Sequence, residues 1–461
     1  NQASYVIESV ENGGSASRTE RGNNPTGSTS SEKKEKLNLS RLSKRSLLTA
    51  FLICLANFCG GCIYSIPSPF FPAVAARKGM SESLTGFLFS SSELISFACS
   101  ILFGKYLMHI GPKFLYVSSI YLSGVSSILF GLSENSSPGA IFISLTFICR
   151  SIDAATFPAV FNSGFVIMSS EFPSHVSTIF GITETSMSLG LMAGPSVGGV
   201  LNQIGGPSMP FYVIGGLMLL VGLTVFMFLP PPQEIEEKKQ SSFFTLLSSS
   251  LVWVALLVTL TLGVGNSFLW PVFSIHLEQF HLSSSLIGLM FIIVPGLYGL
   301  TMTVSGYLLD KKDVKKVVTV YGSFICGLSL LLLGPTPLLP FLPVKLWVII
   351  VGLFVYGLHY GPVVIATMRC TIAGAGELGF ETNLEVYALV AGVYNAAYFL
   401  GTFIGPTMSG TLVETIGFRW ASTCMTGLFL LAAVCSLFYF SIQRLRKGWK
   451  KAADLTSQKG H

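Results

Sequence analysis

Twelve long apolar segments follow one another along this 461-residue chain, and each is long enough to cross a lipid bilayer. They lie at residues 46–72, 84–107, 113–133, 138–166, 176–201, 209–230, 246–273, 285–309, 315–335, 343–368, 386–413 and 418–442. Segments in lipid must satisfy their own backbone hydrogen bonds, so they form helices. Charged residues are only 11% of the chain, against about 25% in soluble domains. The sequence therefore predicts an all-α polytopic membrane protein with twelve transmembrane helices.

Two of these segments share one glycine pattern, at 181–199 and at 392–410. In each, a Gly is followed by eight residues, a second Gly, three residues and a Gly-Pro pair. The pattern is formed by Gly181, Gly190, Gly194, Pro195, Gly198 and Gly199 in the first copy and by Gly392, Gly401, Gly405 and Pro406 in the second. Glycines let two helices approach closely. The repeat predicts two similar halves, which is how many secondary transporters are built.

A shorter repeat supports the duplication. Gly104 begins the stretch GKYLMHIGPK at the end of the second segment, and Gly306 begins GYLLDKKDVK, which contains Asp310, at the end of the eighth. Each copy has a Gly at a helix end and then a hydrophilic turn with basic residues. We predict that Asp310 and the glycines of both repeats act in helix packing and gating.

A charged linker divides the twelve segments six and six. The predicted organisation is a disordered cytoplasmic tail at 1–45, a first six-helix bundle at 46–230, a cytoplasmic linker at 231–245, a second six-helix bundle at 246–442 and a cytoplasmic tail at 443–461.

The positive charges predict the orientation of these helices. With both chain ends in the cytoplasm, that side holds all of the 28 Lys and Arg residues except Arg77, Lys78, Lys345 and Arg419 on the other side and Arg150 inside a segment. The net charge of +6 then reflects topology, and we expect contact with the lipid bilayer and not with nucleic acid. We expect the protein to be a monomer.

Four charged residues lie deep within the first six segments, namely Glu93, Arg150, Asp153 and Glu184. An ionised side chain at the bilayer centre costs about 2.5–3.5 kcal/mol, so a function or a partner must offset that cost. We interpret these residues as the site for substrate and protons.

Each of the four also has a structural interpretation. Arg150 and Asp153 are three residues apart, so they lie on one helix face; they either neutralise each other, or Asp153 exchanges Arg150 for a proton or an amine. Glu184 faces an aqueous cavity or makes a satisfied polar contact. Glu93 follows three serines, whose hydroxyls are candidates to hydrogen-bond it.

The second half offers neutral polar and aromatic candidates instead. They are Asn266, Trp270, His359 and Tyr360, with Tyr394, Asn395 and Tyr398 in the eleventh segment. Aromatic faces attract cations by about 0.5–2 kcal/mol, and a histidine titrates near physiological pH when unperturbed. A Trp or Tyr in a membrane span more often packs in the core or faces lipid, and helix packing is at least as good an explanation for His359.

The chain carries no pattern that indicates catalysis. It has no phosphate-binding loop of the form Gly-x₄-Gly-Lys-Ser/Thr, no nucleophile–His–Asp set and no metal-ligand spacing. We expect neither an enzyme nor a bound metal or cofactor.

These patterns resemble the major facilitator superfamily, whose antiporter signature is matched completely by the first glycine pattern. Within it, the chain is similar to the vesicular amine transporters, solute carrier family 18, and most of all to their polyamine branch. The resembling stretches are PSPFFP (67–72), FGKYLMHIGPKF (103–114), RSIDA (150–154), ETSMSLGLMAGPSVGG (184–199), FIGPTMSG (403–410) and IGFRWAS (416–422).

The resemblance implies two six-helix bundles and proton-coupled exchange by alternating access. Protons leave an acidic vesicle lumen while a small organic cation enters it from the cytosol. Two departures bear on this: Met108 stands where the superfamily usually has an acid, and the first segment lacks the carboxylate expected in monoamine carriers. The missing carboxylate favours polyamines such as spermine and spermidine, or another cargo, over monoamines, whereas Met108 gives some weight to a receptor or scaffold that no longer transports.

Several alternatives remain open at this point. The chain is also compatible with a monoamine or drug/proton antiporter of the same fold, with a carrier of neutral or anionic solutes, or with a receptor or scaffold that no longer transports. We expect it in the membrane of a secretory or synaptic vesicle or another acidic organelle, with the plasma membrane as the alternative.

Overall fold

The structure is a computed structural model that describes residues 44–67, 71–229, 243–282, 284–381 and 383–458. These residues form α-helices and two 3-10 turns, at Ser133–Asn135 and Pro173–His175, and no β-strand. The helices are α1 (Lys44–Ser65), α2 (Phe71–Arg77), α3 (Glu82–Ile110), α4 (Pro112–Leu132), α5 (Ala140–Glu171), α6 (Val176–Gly205), α7 (Met209–Phe228), α8 (Phe243–Leu246), α9 (Ser250–Glu278), α10 (Ser284–Lys311), α11 (Lys315–Leu333), α12 (Leu346–Glu377) and α13 (Leu384–Gln458).

The helix count agrees with the all-α prediction. Of the described helices, 10 are long and apolar enough to cross a membrane. Helix α6 is outside that set, because its many Gly, Ser and Thr residues lower its hydropathy. Helix α13 counts once, although its backbone leaves the helical conformation at Gly417 (φ 78°, ψ 159°). With α6 included and α13 divided at Gly417, the described chain has the twelve long helices that the sequence predicts.

Some predicted boundaries differ from the structure. The predicted segment 46–72 is too long, since α1 ends at Ser65 and a turn follows. Pro67, which lacks an N–H and disfavours a helical residue before it, explains this early end. Residues 1–43 and most of the predicted linker lie outside the described residues, so the predicted domain division stays a prediction.

The two glycine patterns make the same helix contact in each half of the chain, residues 44–229 and 243–458. In the first half, a Cβ on Gly190 or Gly194 of α6 would overlap Phe58 or Ser65 of α1. In the second half, a Cβ on Gly401 or Gly405 of α13 would overlap Leu260 or Ser267 of α9. Only glycine permits such close backbone contact.

The receiving helices also repeat each other. Ser65 donates to the Gly61 carbonyl at 2.9 Å, and Ser267 donates to the Gly263 carbonyl at 2.8 Å. Each serine thus bonds within its own helix one turn after a glycine that faces the opposing helix. The duplicated sequence pattern therefore corresponds to a duplicated helix interface.

The halves meet mainly along two seams, which we define by their helices. The first seam joins α3 to α13, where Gly104 and Gly392 lie so close that a Cβ on Gly104 would be 2.6 Å from the Gly392 Cα. The second seam joins α6 to α10, where a Cβ on Gly306 would overlap the Ser177 carbonyl. In the predicted orientation, both contacts lie at the cytoplasmic ends of these helices, and both are closed.

Asp310 strengthens the second seam. Its carboxylate accepts from the backbone N–H groups of Ser177 and Thr178, at 3.2 and 2.7 Å, at the N-terminus of α6. A negative charge is favourable at that end of a helix dipole. Arg369 lies 3.7 Å from the same carboxylate. At the corresponding place in the first seam, Met108 packs against the hydrophobic core instead, so the two seams are held differently.

Candidate functional site

Three of the four predicted charged residues of the first half are buried in the structure. Glu93 is 8% exposed, Arg150 5% and Asp153 9%. Arg150 forms an ion pair with Asp153 at 3.0 Å, and Ser123 donates to the other carboxylate oxygen at 3.0 Å. The mutual pairing that their spacing predicts is therefore present. A buried pair of this kind stabilises the fold only when its remaining polar atoms are also satisfied.

Arg150 is held by aromatic rings as well as by its ion pair. Its guanidinium carbon lies 5.2 Å from the ring centre of Tyr64 and 5.6 Å from that of Phe89. Both distances are within the range of cation–π attraction. Its Nε has no hydrogen-bond partner among the described residues. The positive charge is thus fixed between α1, α3 and α5 and leaves one donor unused.

Glu93 is held by two hydroxyl groups. Tyr64 of α1 donates to Oε1, and Thr402 of α13 donates to Oε2 at 2.7 Å. The prediction that the preceding serines donate to Glu93 is wrong, because Ser90, Ser91 and Ser92 donate to carbonyl groups of their own helix. Serines within a helix commonly bond back to that helix.

Glu184 lies on α6, away from the glycines that contact α1. It is half-buried, and the Tyr298 hydroxyl of α10 donates to its carboxylate. Thr185, the next residue, donates to the Gly299 carbonyl of the same helix α10 at 2.7 Å. Glu184 therefore lies in the second seam, with its charge directed toward the second half.

Aromatic and amide groups of the second half continue from Tyr298 toward Glu93. The rings of Tyr298 and Tyr360 are 5.4 Å apart at their centres. The Tyr360 hydroxyl donates to that of Tyr398 at 3.3 Å, and the Asn266 amide donates to the same oxygen at 3.3 Å. On α13, Tyr398 lies one helical turn before Thr402, which donates to Glu93. The predicted residues Asn266 and Tyr360 thus belong to one polar network with the two glutamates.

The structure does not bring Trp270 and His359 into this network. Trp270 is 43% exposed and stacks on Phe291. His359 bonds through Nδ1 to the Val355 carbonyl of its own helix at 2.9 Å, and its ring contacts the exposed Tyr321. These contacts fit the helix-packing interpretation of both residues.

A small cavity of about 20 Å³ adjoins Asp153, with Ser123, Asn57 and Phe157 in its wall. A cavity of that size holds about one water molecule. In this conformation the space beside Asp153 therefore suits water or a proton path and is too small for an organic cation.

Four hydroxyl residues of the site were not predicted: Tyr64, Ser123, Tyr298 and Thr402. Each lies inside an apolar segment, where hydroxyl residues are common, so residue type alone gives little indication. Thr402 had one usable signal, since it directly follows Gly401 of the repeated pattern.

Comparisons with known proteins agree with this architecture. Residues 53–380 match the family model "Major Facilitator Superfamily". The MFS-type transporter SLC18B1 of Homo sapiens is 33% identical over 90% of this chain and 91% of its own length, and that of Mus musculus is 35% identical over 91% and 90%. The synaptic vesicular amine transporter of Homo sapiens is 24% identical over 77% of this chain and 66% of its own length.

A solved structure shows the same fold. The human organic anion transporter MFSD10 superimposes with a TM-score of 0.69 over 85% of this chain and 99% of its own, at 17% identity. That likeness concerns the fold alone. The family match and the SLC18B1 relatives, together with the repeated helix interfaces, show that this chain is a multi-pass membrane protein of the major facilitator superfamily, in its solute carrier family 18 branch.

Proposed function

We propose that the protein is a proton-coupled antiporter that moves organic cations, and polyamines in particular, from the cytosol into acidic vesicles by alternating access. The observation that most supports this proposal is the set of contacts made by the Glu93 and Glu184 carboxylates. Among the described residues neither forms an ion pair, and both accept hydrogen bonds from neutral hydroxyls. A buried negative charge without a cationic partner is costly, so both sites suit a proton or an ammonium group.

The nature of the relatives supports a cationic cargo. SLC18B1 and the synaptic vesicular amine transporter are named as transporters, the second of them for amines in vesicles. Two glutamates in different seams, joined by tyrosines, favour a cargo with more than one ammonium group over a monoamine. Tyrosine faces along the path attract cations. The proposed site residues are Glu93, Glu184, Asp153, Asn266 and Tyr360.

The test is uptake of labelled spermidine into proteoliposomes with an acidic interior. We expect uptake to require the pH gradient and to fall at least about tenfold in Glu93→Gln and in Glu184→Gln, since each loses one charged interaction of about 1.5–3 kcal/mol. His359→Gln is the matched control, because that side chain contacts its own helix and should leave uptake unchanged. Normal transport by both glutamine variants would contradict the site assignment.

The same assay separates the alternatives. Strong competition by serotonin against spermidine would favour a monoamine or drug antiporter. Uptake that does not depend on the pH gradient would rule out proton coupling. If a folded wild-type protein moves no amine and no proton, a receptor or scaffold role becomes the better explanation.

A further inference from the structure

Both seams contain the same kind of polar contact, an acid from the first half and a hydroxyl from the second. In the first seam, Thr402 of α13 donates to Glu93 of α3 at 2.7 Å. In the second, Tyr298 of α10 donates to Glu184 of α6. We call these the two cross-half hydrogen bonds. Both acids come from one half and both donors from the other, so each bond breaks if the halves separate along its seam.

The two bonds lie inside the closed part of the molecule. Glu93 is about 16 Å along α3 from the tight contact at Gly104, and Glu184 is about 10 Å along α6 from the contact at Ser177, at 1.5 Å per residue. The first seam is closed at that end by a neutral contact, the Ser100 hydroxyl on the Gly392 carbonyl at 3.0 Å. The second is closed there by the Asp310 carboxylate, which accepts from the backbone of Ser177 and Thr178. Opening either seam must therefore break a bond to a carboxylate.

The strength of such a bond depends on the charge of its acceptor. A hydrogen bond to an ionised carboxylate is about twice as strong as one between neutral groups. When a proton or an ammonium group neutralises the acid, the bond from the hydroxyl weakens. Thr402 also has a second acceptor at hand, the Phe399 carbonyl of its own helix at 2.9 Å, so its hydroxyl stays satisfied after release.

We propose that Tyr298 and Thr402 act as positioning residues that couple the charge of Glu184 and Glu93 to the opening of the two seams. With both acids ionised, the cross-half hydrogen bonds hold the empty carrier closed toward the cytosol; when protons or cargo neutralise the acids, these bonds weaken and the seams open more readily. The empty carrier then leaves this conformation only after protons bind, which ties its return to the cytosolic side to the exit of protons. This inference deepens the proposed function and rests on it for the identity of the cargo.

The surroundings of the two acids are consistent with this coupling. The titratable groups that act on Glu93 are Tyr64, Arg150 and Tyr398. Those that act on Glu184 are Tyr298, Tyr394 and Tyr398. Of these groups only Arg150 carries a charge at neutral pH, and it is paired with Asp153. A proton or cation that arrives at either acid is thus the main change of charge in its seam.

Hydrogen–deuterium exchange tests the coupling without any assumption about cargo. The full-length protein is measured in nanodiscs at pH 8, and the readout is amide exchange at 177–181 and 388–392. We expect Tyr298→Phe and Glu184→Gln each to raise exchange at 177–181 at least about tenfold, because each removes charge-assisted bonding of about 1.5–3 kcal/mol. Thr402→Val and Glu93→Gln should do the same at 388–392.

Combination and control variants keep the test specific. Tyr298→Phe added to Glu184→Gln should give little further increase, because both changes remove the same bond. Thr402→Ser keeps the hydroxyl and should behave as wild type. Thr303→Val removes a neutral hydroxyl contact of the second seam, 3.0 Å from Thr185, and should change exchange less than twofold. Equal effects of Thr303→Val and Tyr298→Phe, or additive effects in the combination, would overturn the proposal.

Uncoupled amine uptake gives a second readout. In liposomes at pH 8 on both sides, wild-type protein should take up little spermidine, because the ionised empty carrier stays closed toward the cytosol after it releases cargo; the Tyr298→Phe/Thr402→Val variant should take it up at least about fivefold faster, since its empty carrier can open again. Equal uptake by the double variant and the wild type at pH 8, beside normal exchange across a pH gradient, would refute the coupling. Absence of amine–proton exchange in the wild type would instead refute the proposed function, and the deuterium experiment would still decide the role of the two bonds.

Discussion

The ion pair of Arg150 and Asp153 permits a prediction that separates a structural from a functional role. Asp153→Ala leaves the Arg150 guanidinium, 5% exposed and 3.0 Å from the lost carboxylate, without its counter-charge. Breaking one side of a buried pair costs about 3–5 kcal/mol. Replacing both residues by apolar ones of similar volume, Arg150→Met with Asp153→Leu, removes the buried charges together and should be neutral or stabilising by about 1–4 kcal/mol.

The assay is the fraction of protein that stays folded and monodisperse after heating in detergent, followed by spermidine uptake. We expect Asp153→Ala to be clearly less heat-stable than wild type and the double variant to recover. Uptake by the recovered double variant would show that the pair is structural; a stable double variant without uptake would show that Asp153 takes part in transport. A double variant as unstable as Asp153→Ala would refute the reasoning from unpaired charge.

Three further predictions concern packing and pH. Ala at Gly190 or at Gly401 should destabilise the fold by about 1–3 kcal/mol in a thermal assay, because its Cβ overlaps backbone of the opposing helix. Ala at Gly199, which has open space around it, should be neutral. Equal stability of all three variants would contradict the close helix contact. Burial lowers the pKa of His276, beyond the ninth helix's span at 250–274, from 6.5 to about 4. The unfolded chain then binds the extra proton, so stability should fall as pH drops from 6.5 toward 4, and His276→Phe should flatten that dependence; an unchanged profile would contradict the assignment. Asp310→Asn should cost about 1–2 kcal/mol through the lost charge at the N-terminus of α6, measured as faster deuterium exchange at 177–178, and unaltered exchange would count against it.

Much of the fold was predictable because hydrophobic length is a strong signal in membrane proteins. The long apolar segments predicted the helices, and the repeated glycine spacing predicted which faces would pack closely. The boundary after α1 was missed because Pro67 ends the helix inside an apolar stretch. The break at Gly417 was predicted, because it lies between the apolar segments 386–413 and 418–442, and the backbone leaves the helical conformation there.

The site was predictable only in part. Intramembrane charge identified Glu93, Arg150, Asp153 and Glu184, because the cost of burying charge makes such residues stand out. Their hydroxyl partners carry no comparable cost and come from helices far away in sequence, as with Thr402 and Glu93. Aromatic residues were ambiguous for the same reason: Tyr360 joins the network, whereas Trp270 is exposed at the surface of the helices.

The most direct test of the account is substrate-induced proton release from liposomes with an acidic interior. Spermidine added outside should raise the internal pH as it enters, and the Glu93→Gln/Glu184→Gln variant should show neither proton release nor uptake. Spermidine accumulation with no proton movement, or proton release that persists in the double glutamine variant, would contradict the claim that buried carboxylates alternate between protons and a cationic cargo.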